Sequence, residues 1–435
     1  MRRKVVELSV LYPALHGGIR EVGHAPFEAV VPRQPTIDKP PRPHSIILIA
    51  LLHRHSTTDS RVALLCSKMS HQVHSLGHVP ISDHSFSADR SKLALARDIS
   101  VEIYDTGSKY NLKTTFSGHD KTVTSVDIAP HSGRIVTCSQ DRNALVWEPS
   151  PDGTYKPTLV LLRINRAATY ARWSPDEKKF AVGSGARAIA VCYFEEENDW
   201  WVSKHIKKPL RSTVLSVSWH PNSVLLAAGS TDSHARVFST FIKGIDARPE
   251  PTIWGDRVPF QTLCGDFVSP AGGWVHDAAF SPSGNALALV THDSSITIVY
   301  PSGPEQPPAA VVTVSTTLLP FKSLVWLSEN EIIAAGHDCH PVIFTGSDQS
   351  GWVLDHSVDD PNEAKKNATS RENTALNMFR QMDLKGTPQA SVDDASLPTI
   401  HQNTITKLRP YAVSGGRVTS VSSTGVDGRV VIFDV

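Results

Sequence analysis

The chain has 435 residues, and its 43 lysines and arginines balance 43 aspartates and glutamates. Zero net charge excludes the broad basic footprint of a general nucleic-acid binder and gives no attraction to an acidic membrane surface. The length allows several domains or one large repeat array, and a 40% share of apolar residues is enough to fill a core.

Residues 1–68 contain the cluster Pro40-Pro41-Arg42-Pro43 and no sustained period of 2 or 3.6. They read as a disordered or non-native N-terminal extension, with Met69 as the expected physiological start. Their apolar run Ile46–Leu52 is far short of the ~20 residues of a membrane helix. It also follows a proline-rich stretch too deep in the chain to be a signal-peptide core. The five cysteines (Cys66, Cys138, Cys192, Cys264 and Cys339) are odd in number, far apart and without a C-x-x-C pair. That usage points to a reducing, cytoplasmic setting.

From residue 69 to 435 the chain is patterned by a repeat. An aspartate precedes an aromatic by six positions, with β-branched or apolar residues between: Asp98 to Tyr104, Asp141 to Trp147, Asp232 to Phe238, Asp338 to Phe344 and Asp427 to Phe433. Asp293 leads to Val299 with Tyr300 one place late, and Ala188–Phe194 has the strand pattern without the aspartate. In the second unit, strands are expected around Val123–Ile128, Ile135–Cys138, Ala144–Trp147 and Leu159–Leu162, divided by Pro130–Gly133 and Gln140–Asn143. Four short strands every ~40–45 residues is the period of a β-propeller blade. Each aspartate falls in the turn between second and third strands, where its carboxylate can accept backbone N–H bonds. The expected fold is all-β, a seven-bladed propeller. The last unit stops after its third strand, so the residues around His71–Val79 are expected to supply the fourth and close the ring.

The gap before the seventh unit holds a polar insertion, about 359–400. Within it Thr369 and Glu372 fit a capping box and Gly386 a C-terminal stop, which predicts a helix over about 370–385. Ala375, Met378, Phe379 and Met382 fall at i, i+3, i+4 and i+7, with Leu376 alongside. They form one apolar stripe suited to docking onto a partner, or folding back onto the propeller.

Catalytic signatures are missing: the sequence has no G-x-x-x-x-G-K-[ST], no G-x-G-x-x-G after a strand and no G-x-S-x-G. His337-Asp338-Cys339-His340 resembles a metal cluster, but Asp338 is a turn aspartate, so no metal or cofactor is expected. His119-Asp120 and His292-Asp293 are expected to hydrogen-bond structurally. Trp200 and Trp201, followed by Lys204, Lys207 and Lys208, could face a partner. The preceding Glu195–Glu197 leave the neighbourhood near neutral, which favours a solvated strand edge or an acidic protein partner over nucleic acid.

Longer strings carry a specific resemblance: Arg134–Asn143, Lys156–Ala168, Cys192–Pro209, Trp219–Asn222, Leu225–Ser230 and Ala334–Cys339. Through them the chain resembles WD-repeat subunit 1 of the actin-related protein 2/3 complex over residues 69–435. The resemblance implies a non-enzymatic WD40 propeller with a helical insertion between blades 6 and 7, built into a complex that nucleates branched actin filaments. It implies actin-related proteins and other complex subunits as partners, with nucleation-promoting factors. It also implies contact of the insertion helix, at Phe379 and its neighbours, with the mother filament. Residues 1–68 have no counterpart in that family. The alternative is a WD-repeat adaptor recruiting peptides or ubiquitin-ligase machinery.

Overall fold

The computed structural model describes residues 70–107, 109–256, 258–304, 306–359 and 397–435. The extension expected at 1–68 and the helix expected at 370–385 lie outside these residues. Strand β1 (His71–Ser75) comes first. Blade 1 is β2 (Asp83–Phe86), β3 (Lys92–Arg97), β4 (Ser100–Asp105) and β5 (Asn111–Ser117). Blade 2 is β6 (Val123–Ile128), β7 (Ile135–Ser139), β8 (Ala144–Pro149) and β9 (Tyr155–Val160). Blade 3 is β10 (Ala168–Trp173), β11 (Lys179–Ser184), β12 (Ala188–Glu195) and β13 (Trp200–Ile206). Blade 4 is β14 (Val214–Trp219), β15 (Leu225–Ser230), β16 (His234–Ser239) and β17 (Leu263–Val268). Blade 5 is β18 (Val275–Phe280), β19 (Leu287–Thr291), β20 (Ser295–Tyr300) and β21 (Ala310–Ser315). Blade 6 is β22 (Phe321–Ser328), β23 (Glu331–Gly336), β24 (Val342–Ser347) and β25 (Gly351–Ser357). Blade 7 is β26 (Ile405–Ser414), β27 (Arg417–Gly425) and β28 (Arg429–Asp434), completed by β1.

Each sheet is an antiparallel meander of four strands, which gives seven blades in all. The first strand of each blade packs against the first strands of its neighbours, so these strands line the axis. β1 pairs with β28 from His71↔Phe433 to Ser75↔Arg429, closing the ring as expected.

Apolar side chains alternate with the strand period and fill the space between blades. Seven buried clusters result, one for each interface. Ala94, Ile103, Val126 and Trp147 join blades 1 and 2. Ile81, Leu93, Leu95 and Val430 join blades 1 and 7. At roughly 1.5–3 kcal/mol per fully buried large side chain, these faces hold the ring together.

Six inner strands begin with a β-bulge that inserts one extra residue. Three of these residues are threonines whose hydroxyls staple neighbours together. Thr124 Oγ1 donates to the Ala168 carbonyl at 3.0 Å, Thr169 Oγ1 to that of Val214 at 2.6 Å, and Thr406 Oγ1 to that of Ile81 at 2.9 Å.

One strand differs from expectation. The outer strand of blade 2 is Tyr155–Val160, not Leu159–Leu162. As an edge strand it has only one face to bury. Leu159 and Leu161 are 54% and 55% exposed, while Val160 and Leu162 are buried, Leu162 beyond the strand's end. The apolar run is therefore half surface.

Candidate protein-contact surfaces

The turn aspartates lie between second and third strands. The fullest arrangement is in blade 2. His119 Nδ1 lies 2.8 Å from Asp141 Oδ2 and His119 Nε2 lies 2.9 Å from Thr137 Oγ1, which also accepts from Trp147 Nε1 at 3.0 Å. Asp141 also accepts the amides of Asp120 and Asn143. The relay therefore runs from a surface turn into the interblade core. Blade 7 repeats it with His401 between Asp427 at 3.0 Å and Ser423 Oγ at 2.8 Å. Asp232 accepts the Arg211 amide and the Arg236 guanidinium, Asp293 the hydroxyls of Thr291 and Ser295, and Asp338 the Leu319 amide.

Asp98 departs from the expected role. In the other five Asp turns, the residue after the aspartate is left-handed: Arg142, Ser233, Ser294, Cys339 and Gly428. In blade 1 the turn is shorter, and Asp98 itself takes φ 49°. Its side chain is exposed, and the link to blade 2 is made by its carbonyl, which accepts the Val123 amide at 2.6 Å.

The histidines near Asp338 diverge rather than converge. His337 Nδ1 meets Thr404 Oγ1 at 3.1 Å and His340 Nδ1 meets Ser357 Oγ at 2.8 Å. Among the described residues, no group of three or more His, Cys, Asp or Glu is placed to hold a metal. His119 serves Asp141 rather than its sequence neighbour, and His292 Nδ1 faces His276 Nε2 at 2.9 Å. Burial pushes the Cys138 thiol up to about 12, so it is a packed apolar group and not a nucleophile.

The axis holds a charge network that the repeat pattern did not reveal. Arg172 Nη1 is 2.9 Å from Asp83 Oδ2, and Arg409 Nη1 is 2.6 Å from Asp127 Oδ1. Lys407 Nζ is 3.1 Å from Asp277 Oδ2 and lies 4.0 Å from the centre of the Tyr170 ring. Burial alone would raise the Asp83 pKa, but the Arg172 and Arg409 guanidiniums hold it well below the usual carboxylate range. Three acids and three bases thus neutralise one another, supplied by inner strands of five blades. A cavity of ≈ 590 Å³ opens above this network, walled by Phe86, Trp173, Trp219, Phe280 and Trp326.

On the outer strand of blade 3 the two tryptophans part company. Trp200 is 53% exposed. Trp201 corrects the expectation of a partner-facing pair: it is 6% exposed and packs on Trp173 and Phe180, because successive side chains leave opposite faces of a strand. Lys204 lies over the Tyr193 and Phe260 rings, at 5.5 and 5.9 Å. Lys207 and Lys208 are exposed just past the strand. Beside them, Glu195–Glu197 and the loop Ile242–Ile245 border a groove of ≈ 770 Å³.

Seven four-stranded blades, turn aspartates and the His–Asp–Thr–Trp relay define a WD-repeat β-propeller. The family described as WD domain, G-beta repeat matches residues 110–148 and 203–239. A *Schizosaccharomyces pombe* protein, actin-related protein 2/3 complex subunit 1, is 53% identical over 371 residues, covering 81% of this chain and 96% of its own length. *Xenopus laevis* subunit 1A-B is 46% identical, over 82% of this chain and 94% of the relative. *Saccharomyces cerevisiae* subunit 1 is 45% identical, over 83% and 97%. The chain belongs to the family of actin-related protein 2/3 complex subunit 1.

Proposed function

We propose that the protein is a non-enzymatic scaffold subunit of an actin-related protein 2/3 complex, supporting nucleation of branched filaments in the cytoplasmic actin cytoskeleton. The observation that carries this reading is identity of 45–53% to fungal subunits over nearly their whole length. The conspicuous polar groups support it: Asp141 and Asp427 are engaged by the relay histidines, and the axial acids by the axial bases, as a framework requires. The other subunits, actin-related proteins, the actin filament and nucleation-promoting factors are the partners in this reading. Trp200, Lys204, Lys207 and Lys208 form a surface for one of them.

A tagged chain purified natively should bring down actin-related proteins in stoichiometric amounts. Ubiquitin-ligase components in their place would favour the adaptor reading and overturn this one. The insertion, with Ala375, Leu376, Met378, Phe379 and Met382, is assigned the mother-filament contact. Phe379→Asp with Met382→Asp should leave assembly intact while branch density falls severalfold. Normal branching by that variant would falsify the assignment.

A further inference from the structure

A propeller leaves seven outer strands with unpaired backbone groups, and each such edge invites another strand unless it is guarded. Six of the seven carry a guard or a polar surface. β5 has Lys113 and a register shift against β4. β9 contains Lys156 and Pro157. β13 carries Lys204 and is tied to blade 2 by Ser203 Oγ, which donates to the Leu161 carbonyl at 3.0 Å, and by His205 Nε2 at the Leu162 carbonyl. β17 has Asp266 and a register shift, and β25 has Asp355 and a register shift. β1 is short and mostly polar, with the His74 ring tilted against that of Tyr110, centroids 3.8 Å apart.

β21 has none of these devices. Its sequence is Ala-Val-Val-Thr-Val-Ser, and it pairs with β20 in unbroken register from Ser295↔Ser315 to Tyr300↔Ala310. No charged residue occurs from Gln306 to Phe321. Val312 and Val314 pack toward blade 6, while Val311 is 52% exposed and Thr313 and Ser315 are exposed. This is a regular, high-propensity outer strand without a register shift, the pattern that self-associates unless covered.

We propose that the outer edge of blade 5 takes an extended, uncharged segment of a neighbouring subunit as a fifth strand. The inference rests on the scaffold reading, since an assembled subunit can leave an edge for a partner to cover. The backbone dictates the chemistry of the occupant: only a strand offers alternating N–H and C=O groups at matching spacing. Small β-branched or hydroxyl side chains fit opposite Val311, Thr313 and Ser315, and a charged residue there finds no counterion on β21.

Hydrogen exchange read by mass spectrometry tests this on the full chain, alone and in its natively purified assembly. The amides of Val311, Thr313 and Ser315, which alternate with those bonded to β20, should exchange at least tenfold more slowly in the assembly than in the isolated chain. Val311→Lys with Ser315→Lys should abolish that difference and lower incorporation, while the isolated variant keeps the parent melting temperature. Equal exchange in both states would overturn the proposal even if actin-related proteins co-purify. Protection already present in the isolated chain at high concentration, and lost in the variant, would mean self-pairing and would overturn the assignment to a partner. Protection in an assembly that lacks actin-related proteins would sustain the edge and sink the scaffold reading.

Discussion

Arg409 of the last blade donates from Nη1 to Asp127 Oδ1 of the second blade at 2.6 Å, reaching past blade 1 to do so. On the way its Nη2 lies 3.4 Å from Asp83 Oδ2. Ring closure is thus made twice: at the rim by β1 on β28 and at the axis by ions.

Asp83 is the anchor of that axial network, with its side chain 1% exposed against 13% for Arg172. Removing one member of a buried pair strands the other charge, at a cost of about 3–5 kcal/mol. Asp83→Ala should therefore lower unfolding free energy by that order, read from urea midpoints. A double variant, Asp83→Ala with Arg172→Met, should recover part of the loss. Additive effects would mean the two side chains act independently.

The same network makes the fold acid-sensitive. Burial, reinforced by the Arg409 charge, pulls the His84 pKa down to about 3, so the ring stays neutral in the fold. Its nitrogens instead lie 2.9 Å from Thr424 Oγ1 and 2.8 Å from Ser422 Oγ. In the unfolded chain histidine takes up a proton near pH 6.5. The unfolded state therefore binds the extra proton below that pH, and stability falls as pH drops from about 6.5 toward 3, by roughly 1.4 kcal/mol per unit for this residue. His84→Gln should flatten the slope between pH 6.5 and 4.5. Asp83 acts in the same direction lower down: its depressed pKa gives stability that is present above about 3.9 and lost as pH falls below it.

The two kinds of aspartate turn can be told apart by substitution. Asp141→Ala leaves His119 Nδ1 and two amides without their acceptor, and should cost about 1–3 kcal/mol. Asp98→Asn, which removes the exposed carboxylate but keeps a residue that tolerates the left-handed turn, should change stability by less than about 0.5 kcal/mol. Equal losses in thermal melts would contradict the shortened-turn geometry.

The two tryptophans of β13 provide a similar contrast. Trp201→Ala should destabilise by about 3–5 kcal/mol, the range for emptying an aromatic core site. Trp200→Ala should leave the melting temperature of the isolated chain unchanged. A weakened association with a partner in quantitative pull-down would then assign Trp200 to an interface.

The blade count was legible because each unit repeats the same local problem: a tight turn, then a strand buried on both faces. The aspartate-to-aromatic spacing marks that pair of elements even where Asp293 is followed by Val299 and the aromatic comes late. Edge strands were less legible, as Leu159–Leu162 shows, because a strand with one wet face need not alternate cleanly. The axial ions could not be paired from the sequence. Asp83 and Arg172 lie 89 positions apart, and Asp83 and Arg409 lie 326 apart. Their proximity exists only once seven blades close a circle. The one available signal was charge inside otherwise apolar inner strands, such as Lys407 and Arg409 around Leu408. Lys179 and Asp246 form a further buried pair, 2.6 Å apart, that no motif announces.

The pairing of β1 with β28 also sets an order of events in time. On the ribosome β1 emerges ahead of blade 1 and its partner β28 only after blade 6, so until then the seventh blade is incomplete and the first strand unmatched. Blades 1 to 6 can each form from neighbouring segments as they appear, but the circle stays open until β28 is made. The nascent chain therefore carries one predictable point of exposure for most of its synthesis, at the seam where blade 7 will meet blade 1.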